Sequence, residues 1–232
     1  MPIRKATSNE TKDFYSLIPK EMKQTLPNPD YDQHGIELPF RGLIVAASGG
    51  GKTTLVLEIL SRMPRTFDQV CIVCRSKAEP LYEFLEAKSD PDTLSFFEYA
   101  SDGLPTLDTF TGPGQKLIVF DDLISLSKRE LEPVVDMFIR GRKQGCSMLF
   151  LTQSYYKTPR TIRLQCNYIF LKKLGSTRDI NMILSDTSLG LSREQLYNIY
   201  RRCTRKKGDF LMIRLDKDEA DGRFSHNFLE CI

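Results

Sequence analysis

Apolar runs and amphipathic stretches alternate along most of the chain. A short run made almost wholly of apolar residues is typical of a strand buried on both faces of a parallel sheet. Apolar residues spaced three and four apart are typical of a helix. The predicted strands are 42–47, 68–74, 94–99, 116–120, 147–151, 168–171 and 210–215, and the predicted helices are 52–63, 80–88, 127–139, 177–185 and 192–203. Strands that alternate with helices imply an α/β fold, with a mainly parallel central sheet and helices on both faces.

Two of these helices carry more detailed predictions. In the second helix, Leu81, Phe84 and Leu85 fall on one face, as in an amphipathic helix. In the third, Ser127 and Glu130 have the spacing of a capping box, in which each side chain binds the backbone N–H of the other residue. The pattern therefore predicts that this helix begins at Ser127.

The first 39 residues differ from the rest of the chain, because they are polar and interrupted by prolines. Their main apolar residues are Phe14, Tyr15, Leu17 and Ile18. These residues are compatible with a short helix or a docking segment, but they offer too little apolar surface for an independent core. We therefore predict an N-terminal arm over residues 1–39 and a single domain over residues 40–232.

Composition agrees with a globular protein. Of the 232 residues, 41% are apolar and 27% are charged. No apolar run approaches the roughly 20 residues that a membrane-spanning helix needs, and the N-terminus lacks the apolar segment of a signal peptide. We expect an intracellular protein without a membrane span.

The six cysteines are not expected to form disulfides in an intracellular protein. Cys71 and Cys74 have the C-x-x-C spacing of a zinc ligand pair, but they lie within a predicted buried strand. The other four cysteines are isolated from one another, so no second pair completes a zinc site. We interpret the cysteines as core residues.

The first predicted strand leads through a glycine-rich turn into the first helix. The turn fits the phosphate-binding pattern G-x-x-x-x-G-K-[ST], with Ala46 in place of the first glycine. Alanine is compatible with that position if its φ stays negative. In such a loop Lys52 reaches the β- and γ-phosphates and Thr53 ligates Mg²⁺. The predicted nucleotide-binding residues are Ser48, Gly49, Gly50, Gly51, Lys52, Thr53 and Thr54. The alternative is a glycine-rich turn followed by a chance Lys-Thr.

Two carboxylates follow the strand 116–120. Ligands of open α/β sheets bind at the carboxyl ends of the strands, and Asp121 fits the Walker B residue that holds Mg²⁺. Asp122 directly after it could polarise a water molecule for attack on the γ-phosphate, a role that a simple nucleotide kinase does not need. The alternative is that Asp122 caps the next helix.

A polar amide follows the next strand, 147–151. If that strand neighbours the Walker B strand, Gln153 lies near the γ-phosphate and can hydrogen-bond to it. Gln153 alone is weak evidence, but it gains weight after the phosphate loop and the paired carboxylates.

Taken in order, these motifs resemble the FtsK–HerA superfamily of DNA-pumping ATPases, and within it the genome-packaging ATPases of nucleocytoplasmic large DNA viruses and virophages. The resemblance runs from about Phe40 to the C-terminus. Its motifs are Ala46–Thr53, Leu117–Asp122, Arg140–Arg142, Thr152–Gln153, Pro159–Arg163 and Gly208–Ile213. One departure is Asp122, where glutamate is more usual; the shorter side chain bears on the reach of a catalytic base.

The resemblance implies a P-loop NTPase of the additional-strand (RecA-like) type that uses ATP and Mg²⁺. It implies a homo-oligomeric ring, pentameric or hexameric, that pumps double-stranded DNA into a preformed capsid and docks on a capsid or portal-vertex protein. The implied location is the host cytoplasm or virus factory, or the virion.

The resemblance also implies an arginine finger supplied by a neighbouring subunit. Arg140 and Arg142 match the family position, and Arg142 matches it better. A guanidinium beside the γ-phosphate stabilises the charge of the transition state. The alternative is that both arginines neutralise a helix C-terminus.

Net charge is only +3, but basic residues cluster in two places. The clusters are Lys157, Arg160 and Arg163, and Arg201, Arg202, Arg205, Lys206 and Lys207. One or both clusters are candidates to line a DNA channel, and the alternative is that they are solvated helix ends.

Other functions remain open from the sequence. Another FtsK/HerA-like pump, a helicase or a plasmid-transfer pump would usually carry further domains. A nucleotide kinase would have no need of Asp122 and Gln153. A capsid or DNA-anchoring protein could use nucleotide as a structural switch, although intact Lys52, Asp121 and Asp122 favour turnover.

Overall fold

A computed structural model describes residues 13–19 and 27–232. Within these residues the strands are β1 Arg41–Val45, β2 Gln69–Cys74, β3 Leu94–Glu98, β4 Lys116–Asp121, β5 Cys146–Thr152, β6 Tyr168–Leu171, β7 Leu211–Arg214, β8 Phe224–His226 and β9 Glu230–Cys231. The helices are α1 Tyr31–His34, α2 Lys52–Arg62, α3 Pro80–Lys88, α4 Tyr99–Asp102, α5 Glu132–Arg140, α6 Arg160–Gln165, α7 Arg178–Asp186 and α8 Arg193–Cys203.

All the described strands belong to one sheet, in the order β3-β2-β4-β5-β1-β6-β7-β8-β9. The pairings from β3 to β6 are parallel, and those from β6 to β9 are antiparallel. The predicted α/β fold with a mainly parallel sheet is therefore confirmed. Strand β5 lies between β1 and β4, which is the additional-strand arrangement.

Helices cover both faces of the sheet, as predicted. On one face, Leu55 and Ile59 of α2 pack with Val119 of β4. On the other face, Phe138 of α5 packs with Phe120 of β4. Neighbouring residues of one strand thus enter opposite cores, which explains why the central parallel strands are apolar along most of their length.

Helix α5 begins at Glu132, not at Ser127 as predicted. The capping-box contacts do form, since the Ser127 N–H donates to Glu130 Oε2 at 2.7 Å and the Glu130 N–H to Ser127 Oγ at 3.3 Å. They close an isolated turn, and the regular helix starts only where Pro133 occupies its first turn. Proline has no N–H to donate, so it is tolerated there and not farther inside a helix.

The buried face of α3 also differs from the prediction. Phe84 is 57% exposed, whereas Tyr82 is buried. A helical pattern predicts which residues lie on the same face of the helix. It does not predict which face a polar contact will bury, and Tyr82 makes such a contact at β4. Helices α1, α4 and α6 and strands β8 and β9 were not predicted. The three helices span fewer than two turns and the two strands have at most three residues, so none of them shows a periodic pattern.

Five of the six cysteines are buried and free, which confirms their interpretation as core residues; for Cys231 that interpretation is wrong, because it is exposed. Within the predicted arm, His34 and Ile36 are already buried, while Phe14, Tyr15 and Leu17 are exposed. The division at residue 40 stays a prediction. Among the described residues, no helix is both long and apolar enough to cross a membrane.

Candidate functional site

The phosphate loop joins β1 to α2 at the carboxyl edge of the sheet. Its first residues are fixed by the strands on either side of β1. The Ala46 N–H donates to the Thr152 carbonyl at the end of β5 (3.1 Å), and the Ala47 N–H donates to the Lys173 carbonyl after β6 (3.2 Å). The loop is therefore held in place by both neighbouring strands before any ligand binds.

Three positions in the loop require glycine, and the first is Gly49, with a φ of 68°. Gly51 has a φ of 79°, a left-handed conformation that other residues rarely adopt. A Cβ at Gly50 would lie 2.8 Å from the Ala47 carbonyl oxygen. Ala46 is not among the described non-glycine residues with positive φ, so the condition for alanine at the first position is met.

The N-terminus of α2 is free to bind an anion. Its cap Gly51 offers no side-chain hydrogen bond, and its first turn has no acidic residue. The free N–H groups and the positive end of the helix dipole therefore face the loop. Lys52 is half-buried, Thr53 is buried, and Ser48 and Thr54 are exposed. All four lie on the segment that would surround a phosphate chain.

Asp121 ends β4 and is buried against α3. The Tyr82 hydroxyl donates a 2.6 Å hydrogen bond to Asp121 Oδ2. Burial raises the pKa of the Asp121 carboxyl, while the Tyr82 hydrogen bond and the Lys52 charge act in the opposite direction. The charge of Lys52, which follows the phosphate loop, therefore acts on the Asp121 carboxyl. Tyr82 is a site residue that the sequence pattern did not identify.

Asp122 is exposed and has a φ of 56°. This left-handed conformation is uncommon outside glycine, although aspartate and asparagine tolerate it best. The next regular helix begins at Glu132, so the alternative that Asp122 caps that helix is wrong. The turn comes immediately after the buried Asp121 and leaves the second carboxylate in solvent.

Gln153 follows β5 and is exposed. Strand β5 pairs with both β4 and β1: Asp121 is opposite Leu151, and Val45 is opposite Thr152. The predicted neighbour relation with the Walker B strand is therefore present. Asp121, Gln153 and the phosphate loop come together at one edge of the sheet.

The two candidate finger arginines lie at the other edge. Arg140 ends α5, and its Nε donates to Asp136 Oδ1 at 2.6 Å. Its side chain is therefore paired within its own helix. Arg142 is exposed in the turn Gly141–Gln144 that precedes β5. The length of β5, about 20 Å at ~3.3 Å per residue, separates Arg142 from the phosphate loop of the same chain.

The first basic cluster is only partly available to a ligand. Arg163 is buried and forms an ion pair with Asp186 at 3.1 Å. Its guanidinium also lies 4.9 Å from the centre of the Tyr155 ring. The interpretation of Arg163 as a DNA contact is wrong, whereas Lys157 and Arg160 are exposed.

The second cluster divides between two places. Arg201 and Arg202 are in the last turn of α8, and Arg202 lies 3.7 Å from Glu230. The segment Arg205–Lys207 lies beyond the helix and lines a groove that includes the phosphate loop. Part of the predicted DNA surface is therefore next to the phosphate loop.

The residues present fit a Mg²⁺ ion that is bound together with a nucleotide. No group of three or more His, Cys, Asp or Glu side chains suited to a metal occurs within residues 13–19 and 27–232. Mg²⁺ in nucleotide sites needs no such group, because substrate phosphates and water supply most ligands and the protein supplies one or two oxygens. The Thr53 hydroxyl and the Asp121 carboxylate are oxygen donors of that kind.

Solved structures with a similar fold include two viral proteins and a secretion ATPase. The genome packaging NTPase B204 from Sulfolobus turreted icosahedral virus 2, in complex with ATPγS, matches with a TM-score of 0.56 and 14% identity, over 78% of this chain and 94% of that chain. B204, the DNA-packaging ATPase from Sulfolobus turreted icosahedral virus, matches with a TM-score of 0.56 and 12% identity, over 78% and 95% of the two chains. The cytoplasmic domain of the type VII secretion ATPase EccC from Thermomonospora curvata matches with a TM-score of 0.53 and 15% identity, over 76% and 24% of the two chains.

No protein-family model matches the chain, and no curated protein sequence matches it. At identities of 12–15% the structural likeness concerns the fold. At that level the predicted P-loop fold is confirmed, because this chain shares the fold of these structures.

Proposed function

We propose that this protein is a Mg²⁺-dependent ATPase that drives double-stranded DNA into a viral capsid. One observation carries the catalytic part of the proposal. Strand β5 is inserted between β1 and β4, so that the phosphate loop, the Asp121–Asp122 pair and Gln153 end at the same edge of the sheet. Each group needed to bind and cleave a nucleoside triphosphate is thereby available at one place.

The loop and the N-terminus of α2 bind the phosphate chain through backbone N–H groups, and Lys52 neutralises the β- and γ-phosphates. Thr53 and Asp121 hold Mg²⁺, which neutralises charge on the phosphates when bound. Asp122 accepts a proton from a water molecule, and the oxygen of that water forms a bond to the γ-phosphorus. The bond between this phosphorus and the β,γ-bridging oxygen breaks, and ADP leaves. Gln153 donates a hydrogen bond to the γ-phosphate, and this bond forms only while the γ-phosphate is present.

Arg142 acts on the site of a neighbouring subunit. It lies at the amino-terminal edge of the sheet, away from its own phosphate loop, so only another chain can place it beside a γ-phosphate. A head-to-tail contact that closes into a ring provides this pairing at every interface. The proposal therefore includes a pentameric or hexameric homo-oligomer.

The DNA-packaging part is supported by the motif resemblance and by the fold. Structures with this fold include proteins that are described as packaging ATPases of viruses. A motor of this kind binds DNA mainly through phosphates, so that binding depends on salt and little on sequence. The proposed partners are double-stranded DNA and a capsid or portal-vertex protein, in the host cytoplasm or virus factory.

Phosphate release from ATP, measured with Mg²⁺ in the presence and absence of double-stranded DNA, tests this proposal. We expect release that rises when DNA of any sequence is added. A nucleotide kinase would transfer the phosphate to an added nucleoside or nucleotide, and a nucleotide-switched structural protein would bind ATP without turnover. Either result would contradict the proposal.

A further inference from the structure

A groove of about 980 Å³ extends from the phosphate loop toward the C-terminal part of the chain. Its volume is that of a small-molecule site. Its walls are the loop residues 47–51 with Thr54, the residues 172–174 that follow β6, and the segment 205–209 that precedes β7. Five of the lining residues are basic, namely Lys172, Lys173, Arg205, Lys206 and Lys207, and Asp209 is the acidic one.

Lys172 joins the walls of this groove. The residue is 4% exposed, and its Nζ donates to the Gly208 carbonyl at 2.7 Å. A Cβ placed on Gly51 would lie 3.6 Å from the same Nζ, so the ammonium lies against the N-terminal cap of α2. Burying an ammonium is costly unless it is paired, and one neutral carbonyl leaves it able to interact with an anion at the loop.

Asp209 can offset only one of the five positive charges that line the groove. Its carboxylate is occupied by His226, whose Nε2 lies 3.0 Å from Asp209 Oδ2, and by the Asn227 amide at 3.4 Å. His226 also contacts Glu230 at 2.7 Å. These contacts hold the end of the basic segment against β8 and β9, while Arg205, Lys206 and Lys207 are exposed and accessible to a ligand.

The groove has a defined direction relative to the catalytic groups. Asp121 and Gln153 lie on the β5 side of β1, whereas Lys172 follows β6 on the other side. A phosphate chain whose γ end lies toward Gln153 therefore has its α end toward Lys172. The ribose and base attached to that end would enter the groove. A DNA duplex is too broad to reach a lysine that is 4% exposed.

We infer that Lys172 and the basic segment 205–207 bind the nucleotide, on the side of its α-phosphate and ribose, and are not part of the DNA surface. This inference rests on the proposed ATP-binding function. It assigns to Lys172 both an interaction with the phosphate chain and the tie that holds the segment over the groove.

Two variants test it: Lys172→Met, which keeps most of the length of the side chain without the charge, and a triple variant with Arg205, Lys206 and Lys207 all changed to glutamine. Calorimetric titration with ATPγS should give an affinity about tenfold or more below wild type for each, since each loses charge-assisted hydrogen bonds. A second triple variant, with Lys88, Lys128 and Arg193 changed to glutamine, removes the same charge from exposed positions outside the groove and should bind like wild type.

DNA binding of the same proteins separates the two assignments of the basic segment. We expect the first triple variant to keep the salt dependence of double-stranded DNA binding that wild type shows. Unchanged ATPγS affinity in both groove variants would overturn the inference, and so would normal ATPγS affinity with a flatter DNA salt slope in the triple variant. If Lys172→Met does not fold, as judged by circular dichroism, the triple variant decides alone. Absence of ATPγS binding by wild type would instead overturn the proposed function, and the inference with it.

Discussion

Asp122 combines a left-handed backbone with an exposed carboxylate one residue beyond the buried Asp121. Residues held in sparsely populated backbone conformations cost free energy and concentrate at functional sites. In this case the turn separates the two carboxylates: one is buried beside the phosphate loop and the other is open to water. That division matches the two roles of holding an ion and activating a water molecule.

The variant Asp122→Asn should retain ATP binding and lose hydrolysis by about 100-fold or more, the lower end of the contribution of a general base. Asparagine tolerates a positive φ as aspartate does, so the backbone is preserved and only the proton acceptor is lost. ATP turnover and nucleotide affinity are measured on the same preparation.

Asp30 provides a matched control, because it is also an aspartate in the left-handed region, with a φ of 58°, and it lies outside the site. Asp30→Asn should hydrolyse ATP like wild type. Turnover by Asp122→Asn at the wild-type rate would remove Asp122 from the role of base.

Some site residues could be predicted from the sequence and others could not. The phosphate loop, Asp121, Asp122 and Gln153 could be placed in advance, because each directly follows a strongly apolar run and the end of a parallel strand has a known direction. Tyr82 and Lys172 could not, since their roles depend on contacts with Asp121 and Gly208, 39 and 36 residues away in the chain. Lys172 did carry one signal, its place directly after the apolar run 168–171.

At the scale of elements, α3 is tied to the Walker B strand through Tyr82. The tyrosine ring also lies edge-on to Phe96 of β3, with 5.7 Å between ring centres. One side chain thus fixes a helix against two strands and hydrogen-bonds to the candidate Mg²⁺ ligand. The orientation of α3 therefore affects both stability and the site.

Tyr82→Phe should lower the free energy of unfolding by about 1–3 kcal/mol, because it leaves a buried carboxylate without its donor. The lost hydrogen bond favoured the ionised form of Asp121, so the pKa of Asp121 should rise further. The acid side of the rate–pH profile should then move to higher pH, and more Mg²⁺ should be needed for half-maximal activity. Thermal unfolding without nucleotide gives the stability readout independently of activity.

Tyr99→Phe is the matched control, since the Tyr99 hydroxyl also donates to a carboxylate, Glu130 at 2.7 Å, but on the surface. It should change neither stability nor the pH profile appreciably. If Tyr82→Phe behaves like Tyr99→Phe, the tie between α3 and β4 has no energetic importance.

Element boundaries were less predictable than element types. Helix α5 starts five residues after the predicted position because Pro133 fixes its first turn, while the turn at Ser127 is closed by its own local hydrogen bonds. Local capping signals act over four residues and do not indicate whether the helix continues. Tertiary packing of Val134 and Phe138 against the sheet decides where the regular helix lies.

At the scale of the whole molecule, the alternation of strands and helices was sufficient to predict a parallel sheet covered on both faces. The strand order was not contained in that pattern. The insertion of β5 between β1 and β4 depends on crossovers that only the fold reveals, although the motif resemblance implied it. The same topology places Arg142 and the phosphate loop at opposite edges of the sheet. Each proposed active site therefore needs residues from two chains.

Mixing two inactive variants tests this central claim most directly. Arg142→Ala keeps an intact phosphate loop without a finger, and Lys52→Ala keeps an intact finger without a working loop. In rings that assemble at random from equal amounts, about one quarter of the head-to-tail interfaces pair an intact loop with an intact finger. ATP hydrolysis should therefore return on mixing, up to that fraction of the wild-type rate.

Native mass spectrometry of the mixture, with ATP and double-stranded DNA present, verifies that mixed oligomers form. Arg140→Ala is the matched control, because Arg140 pairs with Asp136 in its own helix, and this variant should be active without mixing. We predict inactive separate variants and partial activity in mixed rings. Mixed oligomers without hydrolysis, or a protein that stays monomeric with ATP and DNA present, would contradict a motor whose sites are completed between subunits.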